Sequence, residues 1–521
     1  MAPPNKKLRN LPLLIVLVLA FGISLHFCLW KSGMFIDEIY SYGLSNSHFM
    51  PFIGNGEHDQ IEEQILTRAD FQDYLTVTDT EPAFDAASVY YNQVLDVHPP
   101  LYYWLLNFSS SLARGHFSKW IGLIPGLIIY LGMITLLYLL GVELYGNRLV
   151  AALTAVLYAL SQVGLSTMLM IRMYVLMSFL TVLLAYFAAK ELRLPALKHE
   201  CCIGFTIFAG LMTQYYFVFY AFFLCLAVIS FQLIQKQWKA AFRFSVCALA
   251  GVVLMLVCFP AVFTQMTGHR LGPESDALAN LLNVAAWSHR LRYYFGQFRV
   301  GLFSAIIVSI TGVCFWLGYS AIHRELRLSG MDLRFLVLLI PVIPTVCIPA
   351  IISPVLEGRY IYNIMPIAVL FAGFCLSVCS RHMDLRIPFV AVLLFSVIVS
   401  VYTVPDYIYE EQKAYTDAVS PHSQAPCVYL TGYYAGVTQD MLQLMLFDDV
   451  LITDDPSSPA LAEYLEHSDS DEVVVYIDID SMWGSGFDAK TMLSSLEDHA
   501  GLEQAEHLYH YALSDTYLMR R

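Results

Sequence analysis

Apolar segments of about 20 residues recur along residues 11–404 of this chain, and they constrain its fold more than any other feature. A helix of about 20 apolar residues is long enough to cross the hydrocarbon core of a bilayer. The segments predict eleven spanning helices, at residues 11–30, 119–141, 149–168, 173–190, 201–216, 217–234, 242–260, 300–319, 335–352, 360–379 and 387–404. We therefore expect a mainly α, multi-pass membrane protein.

The overall composition supports a membrane protein and excludes several other classes. Apolar residues make up 57% of the 521 residues and charged residues only 14%, against about 25% charged residues in soluble domains. A soluble enzyme is therefore excluded, and the net charge of −14 argues against a nucleic-acid partner. Most of the eleven cysteines lie inside apolar segments, so neither a disulfide framework nor a zinc site is expected.

The distribution of basic residues orients the predicted spans. With the N-terminus in the cytoplasm, every even-numbered span is followed by a basic loop, as the positive-inside rule requires. These loops contain Arg148; Lys190, Arg193 and Lys198; Lys236, Lys239 and Arg243; Arg324, Arg327 and Arg334; Arg381 and Arg386. Residues 31–118, residues 261–299 and the tail from residue 405 are then expected on the outer face.

One further apolar segment, at residues 98–113, does not fit this alternation of charge. Counting it as a span would move every later basic loop to the outer face. The segment starts with His-Pro-Pro and continues with Tyr102, Tyr103 and Trp104, and aromatic residues are typical of the membrane interface. We expect a short surface helix within a large outer loop at residues 31–118.

Residues 405–521 predict a small α/β domain outside the membrane. Strand-like segments at 427–433, 450–453 and 473–479 alternate with helical patterns near 436–447, 458–466 and 488–498, which is typical of a parallel sheet. This tail is acidic, with twenty-two Asp and Glu residues against four basic ones. The sequence thus divides into a membrane domain at 1–404 and an outer domain at 405–521.

Asp37 and Glu38 follow the first span directly, in the segment FIDEIYSY. Carboxylates close to hydrocarbon are costly and usually functional, and a general base must hold such a group near its substrate. These residues are candidate catalytic groups for a substrate at the membrane surface. The alternative is a solvated loop after a helix end.

The segment DVHPPLYYWLL places Asp96 and His98 before a rigid Pro-Pro turn. Proline is favourable in the first turn of a helix, so both side chains are held at a defined helix entrance. Together with Tyr102 they are candidates for a substrate pocket, although a single histidine often has a structural role.

Two arginines depart from the positive-inside rule. Arg172 lies at the outer end of the third predicted span, and Arg359, next to Tyr360, lies at the outer edge of the tenth. An arginine in such a position needs an anion, either a loop carboxylate or a phosphate at the headgroup level. Arg270 and Arg292 in the outer loop are further candidates, although some basic residues there contact only lipid headgroups.

Carboxylates and arginines on one face suggest glycosyl transfer from a lipid-borne sugar phosphate. A base would activate an acceptor hydroxyl, and the arginines would bind the phosphate. Three other functions remain open on these residues. They are a transporter or flippase of lipid-linked sugars, a polymerase or ligase of lipid-linked glycans, and a sensor that displays the acidic tail.

The order of these motifs resembles the integral-membrane GT-C glycosyltransferases. The Asp-Glu pair after the first span, HPPLYY, RMY and GRY follow one another over residues 10–380 as in the protein O-mannosyltransferase and aminoarabinose-transferase group. The resemblance does not extend to the tail. It implies a GT-C fold with about 11 transmembrane helices and inverting transfer from a polyprenyl-phosphate monosaccharide.

The resemblance also implies a role for each candidate residue. Asp37 is the expected base, and Glu38 shapes its site. Arg172 and Arg359, with Tyr360, are expected to hold the departing phosphate. Asp96, His98, Tyr102, Arg270 and Arg292 are expected to line the substrate pocket.

The resemblance leaves the acceptor open among a glycan, a lipid and a protein. The inserted sugar-binding domain of the mannosyltransferases is absent from the sequence, which argues against a protein. Some GT-C enzymes bind a divalent metal through two acidic motifs. No second acidic motif lies near Arg172, so neither a metal nor another cofactor is expected. A bacterial plasma membrane is the expected location.

Overall fold

The computed structural model describes residues 10–53, 62–80, 82–267, 277–323, 334–468, 470–479 and 486–521. Helices of the first half are α1 (Leu11–Trp30), α2 (Ile36–Asn46), α3 (Arg68–Leu75), α4 (Ala86–Leu95), α5 (Leu101–Ser111), α6 (Lys119–Tyr145), α7 (Arg148–Ala159), α8 (Gln162–Leu169), α9 (Tyr174–Arg193), α10 (Leu197–Leu211), α11 (Phe217–Ile234) and α12 (Trp238–Cys258). Those of the second half are α13 (Val262–Thr267), α14 (Ala277–Leu282), α15 (Val284–Gly301), α16 (Phe303–His323), α17 (Arg334–Leu339), α18 (Val342–Ile352), α19 (Met365–Ala368), α20 (Leu370–Cys379), α21 (Arg386–Tyr402), α22 (Glu410–Val419), α23 (Tyr434–Leu444), α24 (Pro459–Glu466) and α25 (Ala489–Ala500).

Strands form a single described sheet, and two short 3₁₀ helices complete the structure. The strands are β1 (Gln64–Thr67), β2 (Cys427–Leu430), β3 (Asp449–Thr453), β4 (Glu472–Asp478), β5 (Glu503–Tyr511) and β6 (Ser514–Arg520). The 3₁₀ helices are Gly358–Ile364 and Ser420–His422.

The chain divides into two compact units. The membrane unit comprises Met1–Cys28, Val97–Tyr102 and Leu123–Asp406. The sheet unit comprises Leu29–Asp96, Tyr103–Gly122 and Tyr407–Arg521. The sequence assigned the first outer loop to the domain at 1–404. In the structure, most of that loop belongs to the same compact unit as the tail.

Eight helices of the described residues are long and apolar enough to cross a membrane. They are Leu11–Trp30, Lys119–Tyr145, Tyr174–Arg193, Phe217–Ile234, Trp238–Cys258, Phe303–Ile322, Arg334–Ile352 and Gly358–Cys379. The pair α7 and α8 adds a ninth if it is one bent span. The remaining two predicted spans correspond to α10, with 15 residues, and α21, with 17. The prediction of a mainly α, multi-pass membrane protein is confirmed.

A local hydrogen bond explains the 61° bend between α7 and α8. The Ser161 hydroxyl accepts a hydrogen bond from the Gly164 amide at 3.1 Å, which caps a new helix. A Cβ atom at Gly164 would lie 2.3 Å from the Tyr158 carbonyl oxygen. Only glycine therefore permits the tight turn, and the apolar pattern of the segment gives no sign of it.

Small residues bring the backbones of α10 and α12 together. A Cβ atom on Gly204 would lie 2.4 Å from the Cys247 carbonyl oxygen, and one on Gly251 would lie 2.2 Å from the Gly204 carbonyl oxygen. Such contacts between small residues replace the hydrophobic driving force that is missing between helices in lipid.

The sheet has the order β1-β3-β2-β4-β6-β5. Strands β3, β2 and β4 are parallel, as predicted. The pairings of β1 with β3, β4 with β6 and β5 with β6 are antiparallel, so three strands that were not predicted make the sheet a mixed one. The central strands carry a core of fully buried aliphatic residues that includes Val428, Leu430, Val475 and Ile477.

The segment predicted as a surface helix contains α5. This helix has 11 residues, which is too few to cross a bilayer. It is absent from the candidate spans of the described residues. The proline pair at 99–100 precedes it, in keeping with a defined helix start.

Candidate active site

The predicted site residues are distributed over both units. Asp37, Glu38 and Asp96 belong to the sheet unit. Residues of the membrane unit include His98, Tyr102, Arg172, Arg292, Arg359 and Tyr360. Arg270 lies outside the described residues. Each unit is described by itself below.

Helix α2 presents the acidic pair in its first turn. The helix starts at Ile36, and the Glu38 carboxylate accepts a hydrogen bond from the Phe35 amide at 2.7 Å. The side chain thus satisfies one of the backbone donors that a helix N-terminus leaves open. The helix dipole also favours negative charge at this end. Asp37 lies in the same turn and is half-buried.

Glu38 is part of a buried ion pair. Its Oε2 atom lies 3.0 Å from Lys31 Nζ, and neither side chain has exposed surface. Lys31 also donates to the Tyr407 carbonyl oxygen at 2.7 Å. A buried charge requires such partners because the surroundings cannot replace water. Glu38 therefore organises the start of α2, and Asp37 is the carboxylate of the pair that remains partly exposed.

Asp96 ends helix α4 of the same unit. Its amide donates to the Asn92 carbonyl oxygen at 3.0 Å, and its side chain is half-buried. The Asn92 amide group in turn donates to the Ser47 carbonyl oxygen at 3.0 Å, just after α2. Helices α2 and α4 are therefore joined by buried side chains near Asp96.

Arg172 and His98 meet in the membrane unit. Arg172 lies in the short connection between α8 and α9, and only 5% of its surface is exposed. Its Nη2 atom lies 3.5 Å from His98 Nε2. The Leu101 amide donates to the Met212 carbonyl oxygen at 3.0 Å, which ties the His-Pro-Pro segment to the end of α10. Tyr102 follows and is buried.

Arg359 and Tyr360 lie in the 3₁₀ helix Gly358–Ile364. The ring of Tyr360 stacks on that of Tyr216, with centroids 4.9 Å apart and planes within 2°. The Arg359 guanidinium carbon lies 5.9 Å from the Tyr360 ring centroid, within the range of a cation–π contact. Tyr216, in the connection between α10 and α11, was missed by the sequence analysis.

A second cluster around Asp406 was also missed. Its carboxylate accepts hydrogen bonds from Gln162 at 3.0 Å and from the Tyr362 hydroxyl at 3.3 Å. The Tyr362 ring contacts that of Tyr174 at 6.3 Å. The cluster joins the start of α8, the 3₁₀ helix and the start of α9. Its members lie far apart in the sequence. Their proximity could have been predicted only from the way in which the spanning helices pack against one another.

Arg292 and Arg290 on helix α15 have different surroundings. Arg292 is exposed on α15. Arg290 on the same helix donates to the Ala350 carbonyl oxygen at 2.7 Å and to the Ser353 carbonyl oxygen. It satisfies carbonyl groups at the end of α18. Among the described residues, no three His, Cys, Asp or Glu side chains are grouped to hold a metal ion.

Comparisons with known proteins give one family match. The sequence model described as dolichyl-phosphate-mannose-protein mannosyltransferase matches residues 97–263, which include His98, Arg172 and Tyr216. No curated protein sequence matches the chain.

Solved structures align with the chain at low sequence identity. ArnT from Cupriavidus metallidurans, bound to undecaprenyl phosphate, aligns with a TM-score of 0.54 and 9% identity over 98% of both chains. The Saccharomyces cerevisiae Pmt1–Pmt2 complex with its sugar donor gives a TM-score of 0.36 and 17% identity over 53% of this chain and 36% of that one. The Archaeoglobus fulgidus oligosaccharyltransferase AglB gives 0.45 and 11% identity over 90% and 69%.

The family match and the ArnT fold confirm the predicted resemblance to the GT-C glycosyltransferases of the protein-mannosyltransferase and ArnT type. The family match is confined to residues 97–263, and the fold alignment covers 98% of the chain. The acidic tail, to which the resemblance in sequence does not extend, is therefore included in the structural alignment.

Proposed function

We propose that the protein transfers one monosaccharide from a polyprenyl phosphate to an acceptor hydroxyl, with inversion at the anomeric carbon. The contact between Arg172 and His98 carries this proposal. A buried guanidinium beside an imidazole is a suitable place for an anion, since a phosphate can accept hydrogen bonds from both groups. ArnT holds undecaprenyl phosphate, and we infer the same class of carrier here.

In the proposed reaction the acceptor oxygen attacks the anomeric carbon from the face opposite the phosphate. The bond between that carbon and the phosphate oxygen breaks, and the acceptor proton passes to the Asp37 carboxylate. Arg172, His98 and Arg359 stabilise the negative charge that grows on the phosphate. Preorganised charge of this kind is often the largest contribution to catalysis.

A phosphate monoester leaves without an acid, so we propose that the reaction needs neither a divalent metal nor another cofactor. The acceptor is a glycan, a lipid or a protein of the cell envelope. By the positive-inside rule, we place the N-terminus in the cytoplasm and the reaction on the outer face. The bacterial plasma membrane is the proposed location.

The test uses purified protein in lipid nanodiscs with a panel of polyprenyl-phosphate monosaccharides and envelope acceptors. Donor consumption and product formation are followed with and without a chelator. Asp37→Asn is compared with Asp73→Asn, which removes an exposed carboxylate of the same unit. We expect transfer that survives chelation and Asp73→Asn but falls at least about 10²-fold in Asp37→Asn, since a general base contributes about 10²–10⁴.

Each other outcome contradicts a defined part of the proposal. Full activity in Asp37→Asn would exclude this residue as the base. Loss of activity on chelation, restored by a divalent metal, would exclude the metal-independent reaction. If a well-folded sample consumes no donor but, in proteoliposomes, moves lipid-linked sugar across the bilayer, the protein is a transporter.

A further inference from the structure

The segment after the last membrane helix is bound to the segment that leads into α2. Gln412, in the first turn of α22, is 3% exposed and forms two hydrogen bonds with the backbone of Met34. Its Oε1 atom accepts from the Met34 amide at 2.8 Å, and its Nε2 atom donates to the Met34 carbonyl oxygen at 2.6 Å. The side chain therefore pairs with the backbone of residue 34 as a neighbouring strand would.

Gly33 makes room for this contact. A Cβ atom at position 33 would lie 2.1 Å from Gln412 Oε1 and 2.7 Å from Gln412 Cβ. No side chain fits there unless Gln412 moves, so the two positions are matched. The adjacent Ser32 amide donates to the Ile408 carbonyl oxygen at 2.8 Å, which extends the backbone pairing by one step.

Lys31 links the same two segments at the level of Glu38. Its ammonium group contacts the Glu38 carboxylate and the Tyr407 carbonyl oxygen, as described above, and lies 5.4 Å from the Tyr409 ring centroid. The Phe35 ring lies parallel to Tyr409, within 6° and at 6.3 Å. The Lys31 ammonium group and the Phe35–Tyr409 stack thus connect the first turn of α2 to residues 407–409.

Residues 407–409 adopt a backbone conformation that such contacts must maintain. Tyr407 has φ 70° and Tyr409 has φ 55°. Non-glycine residues rarely adopt positive φ, and where they do the surrounding structure holds them. The carbonyl groups of this loop are directed by that conformation toward Ser32 and Lys31.

Helix α22 is in turn anchored on the sheet. The Tyr415 ring stacks on Tyr509 of β5 at 5.1 Å, and its hydroxyl lies 3.0 Å from Thr516 Oγ1 on β6. Gln412 Nε2 also donates to the hydroxyl of Tyr511 on β5. A continuous set of buried contacts therefore runs from strands β5 and β6 through α22 to the first turn of α2.

We propose that this clamp, formed by Lys31, Glu38 and Gln412, fixes the position of Asp37, and that positioning this carboxylate is a function of the C-terminal domain. The inference rests on the proposed role of Asp37 as the base. Lys31 and Gln412 are positioning residues, because they act through the backbone of residues 31–38. A displacement of about 1 Å at a reacting group can cost about 10²-fold in rate.

The experiment compares variants of the clamp in the full-length protein in nanodiscs. Gln412→Met removes the amide at nearly constant volume, and Gly33→Ala forces Gln412 away. Tyr464→Phe is the matched control, since it removes hydrogen bonds to Asp449 on the far side of the same unit. The readouts are kcat, the donor KM and the midpoint of thermal unfolding.

We expect kcat to fall at least about 10-fold in Gln412→Met and Gly33→Ala, while the donor KM stays within twofold of wild type. Unfolding of part of the sample would instead lower the concentration of active enzyme. Active-site titration with labelled donor measures that concentration, from which kcat is calculated. Tyr464→Phe should retain wild-type kcat. Unchanged kcat in both clamp variants, with Asp37→Asn inactive, would overturn the clamp and leave the base intact.

The ion pair provides a second, independent test. Lys31→Met leaves the Glu38 carboxylate buried without its cation and should lose most activity. The double variant Lys31→Met/Glu38→Gln removes both charges, and its glutamine can still accept from the Phe35 amide. We expect the double variant to recover at least about 10-fold over Lys31→Met, because the unpaired buried charge is the larger cost. No recovery in well-folded double variant would contradict a positioning role for the pair.

Discussion

The guanidinium of Arg172 lies 3.5 Å from the imidazole of His98, although 74 residues separate them in the chain. A guanidinium can only donate hydrogen bonds, so in this contact the imidazole Nε2 atom is the acceptor. The arrangement joins two motifs that the sequence had assigned to different tasks. His98 was expected in the substrate pocket and Arg172 at the phosphate, whereas the structure places both side chains at one point.

Substitution of Arg172 should weaken donor turnover strongly. Arg172→Gln removes a buried charge-assisted donor from the proposed phosphate site, and we expect kcat/KM to fall about 10²–10³-fold. Arg172→Lys keeps the charge but loses the planar guanidinium with its two parallel donors. Its activity should therefore lie between those of wild type and Arg172→Gln. Steady-state kinetics with a polyprenyl-phosphate sugar measures both effects. Arg386→Gln, at an exposed arginine of the same unit, is the control and should match wild type.

Tyr360 should act through its ring. Because the ring stacks on Tyr216 and faces Arg359, Tyr360→Phe keeps both contacts and should keep at least half of the activity. Tyr360→Ala removes the stack, which is worth about 0.5–1.5 kcal/mol, and should lower kcat/KM by about 10-fold. If Tyr360→Phe were as damaging as Tyr360→Ala, the hydroxyl would be the functional group, as direct phosphate binding requires.

Asp440 should make the sheet unit more stable in mild acid. Burial raises the pKa of its carboxyl group from the ordinary value of 3.8 to about 7, although hydrogen bonds from Ser514 and Tyr429 act in the opposite direction. A raised pKa means that the folded state favours the protonated form. Stability is therefore lost as the pH rises from about 4 to about 7, by an amount of a few kcal/mol at most.

This pH dependence is measured by difference. Asp440→Asn cannot ionise. The difference in unfolding midpoint, variant minus wild type, should therefore become more positive between pH 5.5 and pH 8. The full-length protein in nanodiscs is used, with tail-specific proteolysis as the probe of unfolding. A gap that is constant over this range would show that Asp440 ionises with an ordinary pKa.

The sequence predicted the features that depend on local composition. Each predicted span is helical in the structure, because about 20 apolar residues in a row have few alternatives, although the spans at 149–168, 335–352 and 360–379 are divided among two or more helices. The three parallel strands were recognisable from their runs of β-branched residues, such as VVVYIDI at 473–479. The order of the site motifs was also sufficient to indicate the GT-C group.

The missed features depend on distant partners. Strand β1 has four residues in an acidic loop, and pairs with β3, nearly 400 residues later in the chain. Strand β5, at the edge of the sheet, has the sequence EQAEHLYHY, and its charged residues are not typical of a strand. Lys31 resembles an ordinary basic residue after a span, and only the fold reveals it as fully buried beside Glu38. Long-range pairing of this kind leaves no periodic signal in the sequence.

Arg68 should hold the first loop on the tail through carbonyl groups, and its ion pair should matter little. Its guanidinium donates to the carbonyl oxygens of Leu446 at 2.8 Å and Phe447 at 3.2 Å, and it also lies 3.1 Å from the Asp448 carboxylate. Because Asp448 is largely exposed, its ion pair is worth about 0–1 kcal/mol. Arg68→Ala should therefore destabilise the sheet unit by about 1–2 kcal/mol, whereas Asp448→Asn should change stability by less than about 0.5 kcal/mol. Urea unfolding of the full-length protein, followed by cleavage within the tail, separates the two variants. Equal losses would mean that the salt bridge, and not the carbonyl contacts, joins the loop to the tail.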